Sequence, residues 1–195
     1  MAYVGWFIVL AIFMGIFAWQ YYVWRGEVRS KNEKYQAALA YAKSKNKPLL
    51  IAGGPYGNQL IRRLLKIPAH GNGDICLDID RNAIEGHPNP VIASVTNIPF
   101  SDKTFGAAFA SHLLEHLPTT SAARQALNEL NRTAEAFFIV SPSRQSISGW
   151  LHPGHHLWIW QNGKTIYFIQ RGKANMKRQE EYTVGNDWNR PNPGG

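Results

Sequence analysis

The sequence predicts an α/β protein: a doubly wound, mainly parallel sheet with a C-terminal β-hairpin, preceded by one transmembrane helix. Three observations predict it. From residue 48 onward, short apolar segments alternate with helical patterns, which is typical of βαβ units. Near the end, two aromatic and β-branched runs are joined by Asn162-Gly163, a strong hairpin signal. The first 24 residues contain no charged side chain.

The N-terminal segment predicts a membrane span over residues 3–24, which are apolar or aromatic except for Gln20. At about 1.5 Å per residue, this length crosses a hydrocarbon core of about 30 Å. Aromatic residues typical of membrane interfaces mark its two ends: Tyr3 and Trp6 at one, and Trp19, Tyr21, Tyr22 and Trp24 at the other. A cleaved signal peptide would need a basic start and a small-residue cleavage site. Neither pattern occurs, so we expect a retained transmembrane helix.

The charges beside this segment predict its orientation. Seven basic residues follow it: Arg25, Arg29, Lys31, Lys34, Lys43, Lys45 and Lys47. The positive-inside rule then places the N-terminus outside the cell (inner) membrane and the body of the chain in the cytoplasm. The single Cys76 fits a reducing compartment. Much of the net charge of +8 lies next to the span, which favours anionic lipid headgroups over nucleic acid as the partner.

These patterns divide the chain into four predicted parts. They are the transmembrane helix 3–24, a basic juxtamembrane helix or linker 25–47, a folded domain 48–171 and a polar extended tail 172–195. Within the domain, strands are expected at 48–52, 74–79, 91–95, 106–112 and 136–143, helices at 58–66 and 120–134, and the hairpin at 157–170. Pro48 ends the juxtamembrane helix, and Thr119, Thr120 or Ser121 caps the later one.

A glycine-rich turn follows the first strand, in the stretch AGGPYGN. Gly53, Gly54 and Gly57 permit a tight turn and close approach of a ligand, and Asn58 can cap the next helix. Asp78 follows Gly57 by 21 positions, near the spacing at which an acid reaches the ribose hydroxyls of an adenosine ligand. Alternatively, the glycines form an ordinary turn, and Asp78 and Asp80 cap the segment after them.

The run from Asn97 to Ser143 resembles the middle of a class I S-adenosylmethionine-dependent methyltransferase of the type 11 branch. The motifs that carry the resemblance are Ile98-Pro99-Phe100, Leu114-Glu115-His116, and Glu129-Leu130 with Arg132. The resemblance covers roughly residues 48–143. It implies a Rossmann-like fold, with S-adenosylmethionine as the cofactor.

The resemblance also implies roles for individual residues. Gly53 and Gly57 would line the amino-acid end of the cofactor, and Asp78 would accept from the ribose hydroxyls. The remaining implied contacts are Ile79, Ser94 and Val95 around the adenine, and Ser111 and His112 near the methyl donor. No side chain is implied as a catalytic acid or base, because such enzymes work mainly by positioning the reactants.

Four positions depart from the pattern of that family: Ile51, Ser94 and Gly106 replace acids, and Pro55 replaces a glycine. A charge-assisted hydrogen bond of the kind an acid makes is worth about 1.5–3 kcal/mol, and proline lacks an N–H donor. We therefore expect weakened S-adenosylmethionine binding. This favours a non-catalytic accessory subunit of a membrane protein complex. The alternative is an active methyltransferase acting on a lipid, quinone, pigment or membrane protein.

Two further groups of residues bear on function. Small residues in the apolar segment, among them Gly5 and Gly15, suit close packing against helices of other membrane subunits. His152, His155 and His156 lie together before the hairpin, but no paired cysteine or regularly spaced acid joins them. Since a metal site needs three or four ligands, the sequence favours a polar loop here and no metal. His116 is expected to be structural, with Glu115 and His116 as an acid–base pair the less favoured alternative.

Overall fold

The computed structural model describes residues 2–54, 73–172 and 179–184, with side chains from Gly5 onward. Gly57, Pro55, Asn58 and the helix expected at 58–66 lie outside the described residues. The elements are α1 (Ala2–Ser44), β1 (Leu49–Ala52), β2 (Ile75–Asp78), β3 (Pro90–Ile92), β4 (Phe105–Ser111), α2 (Thr120–Thr133), β5 (Ala134–Val140), α3 (Ile147–Leu151), β6 (Leu157–Asn162), β7 (Thr165–Gln170) and β8 (Glu180–Thr183). Short 3-10 helices span Arg81–Ala83 and Leu114–His116.

The first five strands form one parallel sheet in the order β3-β2-β1-β4-β5. Strand β1 lies between β2 and β4, so the strand order reverses there, and Ile51 pairs with Cys76 on one side and Phe109 on the other. All four β1 residues are buried, as expected for a parallel sheet covered on both faces. The predicted doubly wound, Rossmann-like sheet is confirmed.

Helix α1 is continuous from Ala2 to Ser44, so no break separates the predicted membrane span from the juxtamembrane segment. It ends three residues earlier than expected, because Asn46 takes a left-handed backbone conformation (φ 51°) and turns the chain into β1. Large apolar side chains in its first half are exposed, including Trp6 and Phe13. Within the described part of the chain, α1 is the one helix long and apolar enough to span a membrane. It is a candidate membrane anchor.

The second half of α1 packs on β4 and β5 and runs antiparallel to them. Ala42 contacts Gly106 near the start of β4, and the Tyr35 ring packs edge-on against Phe109, further along that strand. Beyond the end of β5, the Glu27 carboxylate accepts a hydrogen bond of 2.6 Å from the Ser143 backbone N–H. The exposed N-terminal half of α1 therefore projects beyond the carboxyl ends of the strands.

The C-terminal strands form a separate antiparallel sheet in the order β6-β7-β8. The predicted hairpin is present, but its two-residue loop is Gly163-Lys164, because Asn162 still pairs with Thr165. Gly163 has a φ of +59° and Lys164 is not among the positive-φ residues. A glycine at the first loop position is the pattern of a type II′ turn, so the loop lies one residue later than the Asn162-Gly163 pair that indicated it.

Strand β8 lies inside the segment expected to be an extended tail, and that expectation was wrong for Glu180–Thr183. Three contacts hold the strand on the domain. The Tyr182 ring packs on Phe137 at 6.5 Å between centroids, Val184 is buried, and Arg124 of α2 bonds Glu180 at 3.1 Å. Alternating inward and outward side chains therefore place a largely polar segment in the sheet.

Helix α2 begins at the predicted position, with the Thr119 hydroxyl accepting from the Ala122 N–H as its N-cap. Its C-terminal turn carries the Glu129 and Arg132 pair noted in the sequence. Arg132 bonds the carbonyl oxygens of Ile98 and Phe100, and Glu129 accepts the Ile98 N–H at 2.8 Å. The two side chains also bond each other at 2.7 Å. This pair holds the Ile98–Phe100 segment in place.

Candidate cofactor site

The carboxyl edge of the parallel sheet brings together the residues that the sequence singled out. Because Ala52 pairs with Leu77 and with Ala110, the ends of β1, β2 and β4 lie side by side. Gly53 follows β1, Asp78 ends β2, and Ser111 ends β4. Ligands of doubly wound sheets bind at such an edge, next to the point where strand order reverses.

Asp78 connects two loops at this edge. Its Oδ2 accepts the Gly54 N–H at 2.5 Å, and its Oδ1 accepts the Asp80 N–H at 2.8 Å. A carboxylate has about four lone-pair sites, so Asp78 keeps capacity to accept from a ligand hydroxyl. Asp80 has the structural role left open by the sequence, since its Oδ1 caps the 3-10 helix by accepting the Asn82 N–H.

The two described glycines of the first loop are both needed for close packing. Gly53 has a φ of +92°, and a Cβ there would lie 3.2 Å from the Leu113 Cβ. A Cβ on Gly54 would overlap Ala83, including its carbonyl oxygen. Leu113 therefore fills the space beside Gly53, where the resemblance places the amino-acid end of the cofactor.

The first strand offers no acid to this edge. Ile51, at the position where an acid is usual, is 2% exposed and lies against the backbone of Gly73, where a Cβ would be 2.5 Å from Ile51 Cγ1. The side chain belongs to the apolar core. A charge-assisted bond from this position to a ligand ammonium is absent.

The residues expected around the adenine differ in exposure. Ile79 is 73% exposed at the end of β2, so its side chain is accessible to a flat ring. The third strand ends at Ile92, and Ser94 and Val95 come after it. The Ser94 hydroxyl is 2.7 Å from the Thr96 hydroxyl, and Val95 is buried in the core.

A buried carboxylate lies at the end of β4, next to the residues implied near the methyl donor. Glu115 is 1% exposed, and neither of its oxygens has a hydrogen-bond partner within the described residues. The Nδ1 of His112, which has a φ of 53°, is 3.3 Å from Glu115 Oε1. The buried Ser111 hydroxyl also lacks a partner there. Glu115 thus contacts His112, whereas the sequence reasoning had considered it with His116.

His116 faces the histidines that precede the hairpin. One ring nitrogen from each of His116, His152 and His155 lies within 4.8 Å of the other two. His116 Nδ1 is 2.9 Å from the Gly154 carbonyl oxygen, and His155 Nδ1 is 3.0 Å from that of Gly149. Burial lowers the pKa of His155. The sequence pattern brings together His152, His155 and His156, whereas the structure joins His152 and His155 to His116, which lies 36 positions before His152.

The chain is similar to several known proteins. A profile of the methyltransferase domain family matches residues 58–136 of the chain. An S-adenosylmethionine-dependent methyltransferase from Clostridium acetobutylicum is 12% identical, with a TM-score of 0.43, over 71% of this chain and 61% of that enzyme. The chain thus spans less than two thirds of that relative's length.

Two other solved structures are similar at the same level. The N-methyltransferase NodS from Bradyrhizobium japonicum, in complex with S-adenosyl-L-homocysteine, is 13% identical with a TM-score of 0.38, over 73% of this chain and 80% of that one. A Pyrococcus horikoshii protein is 15% identical with a TM-score of 0.41, over 81% and 77% of the two chains. No curated protein matches the sequence. The protein has a methyltransferase-like fold.

Proposed function

We propose that this protein is a membrane-anchored methyltransferase that binds S-adenosylmethionine at the carboxyl edge of its sheet and acts on an acceptor held in the bilayer. The observation that carries the proposal is the direction of α1. Its exposed apolar half projects past the carboxyl ends of β4 and β5, so the candidate site faces the side on which the membrane would lie.

Hydrogen bonds at Gln20 support this orientation. The Gln20 amide donates to the Gln145 carbonyl oxygen at 3.0 Å and accepts the Ile147 N–H at 2.9 Å. Gln20 lies in the aromatic segment that we assign to the membrane interface. The chain after β5 is therefore tied to α1 at the proposed level of the lipid headgroups.

The short helix α3 supports the same orientation. Ile147, Trp150 and Leu151 are 40%, 54% and 77% exposed, although all three are large and apolar. Because α3 begins at Ile147, whose N–H bonds Gln20, the proposed orientation would put this short helix in the interfacial zone of the bilayer, where tryptophan is favoured. A lipid-soluble acceptor would meet the protein at this surface.

The described residues fit the adenosine part of the cofactor. Asp78 can accept from ribose hydroxyls, and the exposed Ile79 can cover one face of the adenine. When bound, S-adenosylmethionine supplies an electrophilic methyl group on a positively charged sulfur. Glu115 is buried, and among the described residues its oxygens have the His112 ring at 3.3 Å but no hydrogen bond, so this carboxylate could accommodate a positively charged ligand nearby.

A second candidate function is a non-catalytic, accessory subunit of a membrane protein complex. Ile51 and Leu113 favour it, because the first removes an acid from the site and the second fills the space beside Gly53. The loss of one charge-assisted contact would lower affinity by about tenfold or more. In α1, Gly5 and Gly15 have open space beside them, which would let another helix approach closely.

Calorimetric titration of the full chain in lipid nanodiscs with S-adenosylmethionine tests the binding step. We expect saturable binding that Asp78→Ala weakens by about tenfold or more. Asp80→Asn is the matched control, because Asp80 caps a 3-10 helix and should leave affinity nearly unchanged. Absence of binding at millimolar ligand would contradict the enzyme proposal and leave the accessory subunit.

A second measurement separates catalysis from binding. The nanodisc sample is mixed with methyl-labelled cofactor and membranes from the source cells, and label is counted in the lipid and protein fractions. Transfer that Asp78→Ala abolishes would support the enzyme. Binding without any transfer, together with co-purification of other membrane subunits in mild detergent, would support the accessory role.

A further inference from the structure

We propose that His116, His152 and His155 form a binding site for a divalent transition-metal ion such as Zn²⁺, Ni²⁺ or Cu²⁺. One ring nitrogen from each residue lies within 4.8 Å of the others. The rings are in mutual contact, with centroid separations of 4.3 Å for His152 and His155, 4.8 Å for His116 and His155, and 5.4 Å for His116 and His152. Imidazole nitrogen is the ligand that these ions favour.

Two of the three rings have the kind of Nδ1 partner that metal-bound histidines usually have. His116 and His155 each place Nδ1 within hydrogen-bond distance of a backbone carbonyl oxygen, that of Gly154 and that of Gly149. A carbonyl can only accept, so the proton of each neutral ring lies on Nδ1 and the lone pair on Nε2. A second-sphere bond of this kind fixes the tautomer and the ring orientation of metal-bound histidines.

The third ring is held differently and can supply its nitrogen after a small change. His152 Nδ1 accepts the Gly154 N–H at 3.1 Å, so this nitrogen already carries a lone pair. A metal at Nδ1 would replace that hydrogen bond. His152 is exposed, which leaves its ring free to turn toward the other two.

The distances require contraction on binding. In a tetrahedral site with metal–nitrogen bonds of about 2.0–2.1 Å, the nitrogens are about 3.3 Å apart. The observed limit of 4.8 Å is longer, so the rings must close by up to about 1.5 Å. Rotation of the exposed His152 side chain can provide this shift, while His116 and His155 keep their bonds to backbone carbonyls.

The loop Pro153-Gly154 shapes the cluster. A Cβ at Gly154 would lie 3.2 Å from His152 Cε1 and 3.3 Å from His116 Nδ1, so the two rings enclose this residue. Its carbonyl orients His116 and its N–H meets His152. The loop therefore connects two of the proposed ligands directly.

A metal here would join two layers of the molecule. His116 ends the 3-10 helix that follows β4 of the parallel sheet, whereas His152 and His155 precede β6 of the antiparallel sheet. The His156 N–H already donates to the Glu115 carbonyl oxygen at 2.7 Å across the same junction. Three protein ligands leave at least one coordination position for water or a ligand oxygen.

Isothermal titration of the full chain in detergent, carrying no polyhistidine tag and freed of metal by a chelator, tests the site with Zn²⁺ and then Ni²⁺. We expect one ion per chain. His116→Ala, His152→Ala and His155→Ala should each weaken binding by at least about 10–100-fold, the range seen even for residues behind the ligands. His156→Ala is the matched control, since that ring lies outside the cluster.

Two additional measurements keep the outcome interpretable. Circular dichroism reports whether each variant is folded, and Cu²⁺ electron paramagnetic resonance counts the bound nitrogens, three in the native chain and two in each variant. Gly154→Ala leaves all three ligands but should weaken binding by about tenfold through crowding. No saturable binding by the folded native chain, or an equal loss in His156→Ala, would overturn the proposal.

Discussion

Two groups of polar side chains, one at each edge of the parallel sheet, differ in their hydrogen bonding. At the amino edge, where β4 and β5 begin, Arg132 bonds two backbone carbonyls and the carboxylates of Glu129 and Asp102. At the carboxyl edge, the Ser111 hydroxyl and both Glu115 oxygens are buried without hydrogen-bond partners in the part of the chain that the structure describes.

This difference in hydrogen bonding indicates different roles for two of the motifs that resemble the methyltransferase family. The Glu129 and Arg132 motif satisfies its own polar groups and holds the Ile98–Phe100 segment, so it needs no ligand to explain it. Glu115 belongs to the other motif, and in the described ranges its oxygens have the His112 ring beside them but no hydrogen bond. Buried polar groups that a fold does not satisfy are candidates for a role in binding.

Removing Arg132 should have the largest effect on stability. Arg132→Met leaves the Ile98 and Phe100 carbonyls and the Glu129 carboxylate without their shared partner, so we expect a loss of about 3 kcal/mol in the free energy of unfolding. Urea denaturation in detergent measures it. The control is Arg29→Met, which breaks an exposed helix pair with Glu33 and should leave the free energy of unfolding nearly unchanged. Equal losses in the two variants would contradict the stabilising role assigned to Arg132.

One substitution at two carboxylates gives a sharper comparison. Glu129→Gln should cost about 1–2 kcal/mol, because it weakens charge-assisted bonds with Arg132. Glu115→Gln should change stability less, since within the described residues Glu115 has no hydrogen bond to lose and its one close ionisable neighbour is the His112 ring. Paired thermal melts in the same detergent measure both. Losses of the same sign and size would contradict the proposed division.

Acidic pH should lower the free energy of unfolding through Glu129, by less than the substitutions above. The hydrogen bond between Glu129 and Arg132 lowers the pKa of the Glu129 carboxyl below the ordinary value of 4.5. A carboxyl whose pKa is depressed in the folded state contributes stability above its unfolded pKa and loses it as pH falls through the folded value. The stability difference between the native chain and Glu129→Gln should therefore shrink as the pH falls below about 4.5. A difference independent of pH would contradict this assignment.

The membrane depth of the carboxyl edge can be measured with almost no change in stability. Cys76, the single cysteine, is buried, and burial raises its pKa to about 12, so it reacts slowly at neutral pH. A polarity-sensitive dye on Leu151→Cys should emit as in lipid and be quenched by brominated lipids in nanodiscs. The same dye on Lys164→Cys, at the hairpin turn, should report water. Equal spectra from both sites would refute the proposed orientation.

Much of the fold follows from local sequence patterns, and the departures have specific physical causes. The five parallel strands are mostly apolar, and Thr119 marks the start of α2 by side-chain capping. β8 was missed because its segment is polar, and its place depends on Tyr182 and Val184 packing against distant residues. Such long-range contacts leave no signal in a short window of sequence.

The candidate site was predictable where sheet topology places its residues, and not where tertiary packing does. Gly53 and Asp78 follow strand ends, so the topology of a parallel sheet brings them together. The contact of Leu113 with Gly53 and the approach of His116 to His152 depend on tertiary packing between segments far apart in the chain. A pattern of residue types can identify these side chains as candidates, but it does not show which of them are in contact.

The continuity of α1 has a consequence for any separation of the domain from its candidate membrane anchor. Val23, Tyr35, Ala38 and Ala42 are all buried, so the helix that carries the exposed apolar half is also an internal part of the domain. A protease finds no flexible linker to cut between Ala2 and Ser44. Shedding a water-soluble form would require breaking a folded helix, and a truncated protein that begins within it would expose the surface of β4 and β5 that α1 covers.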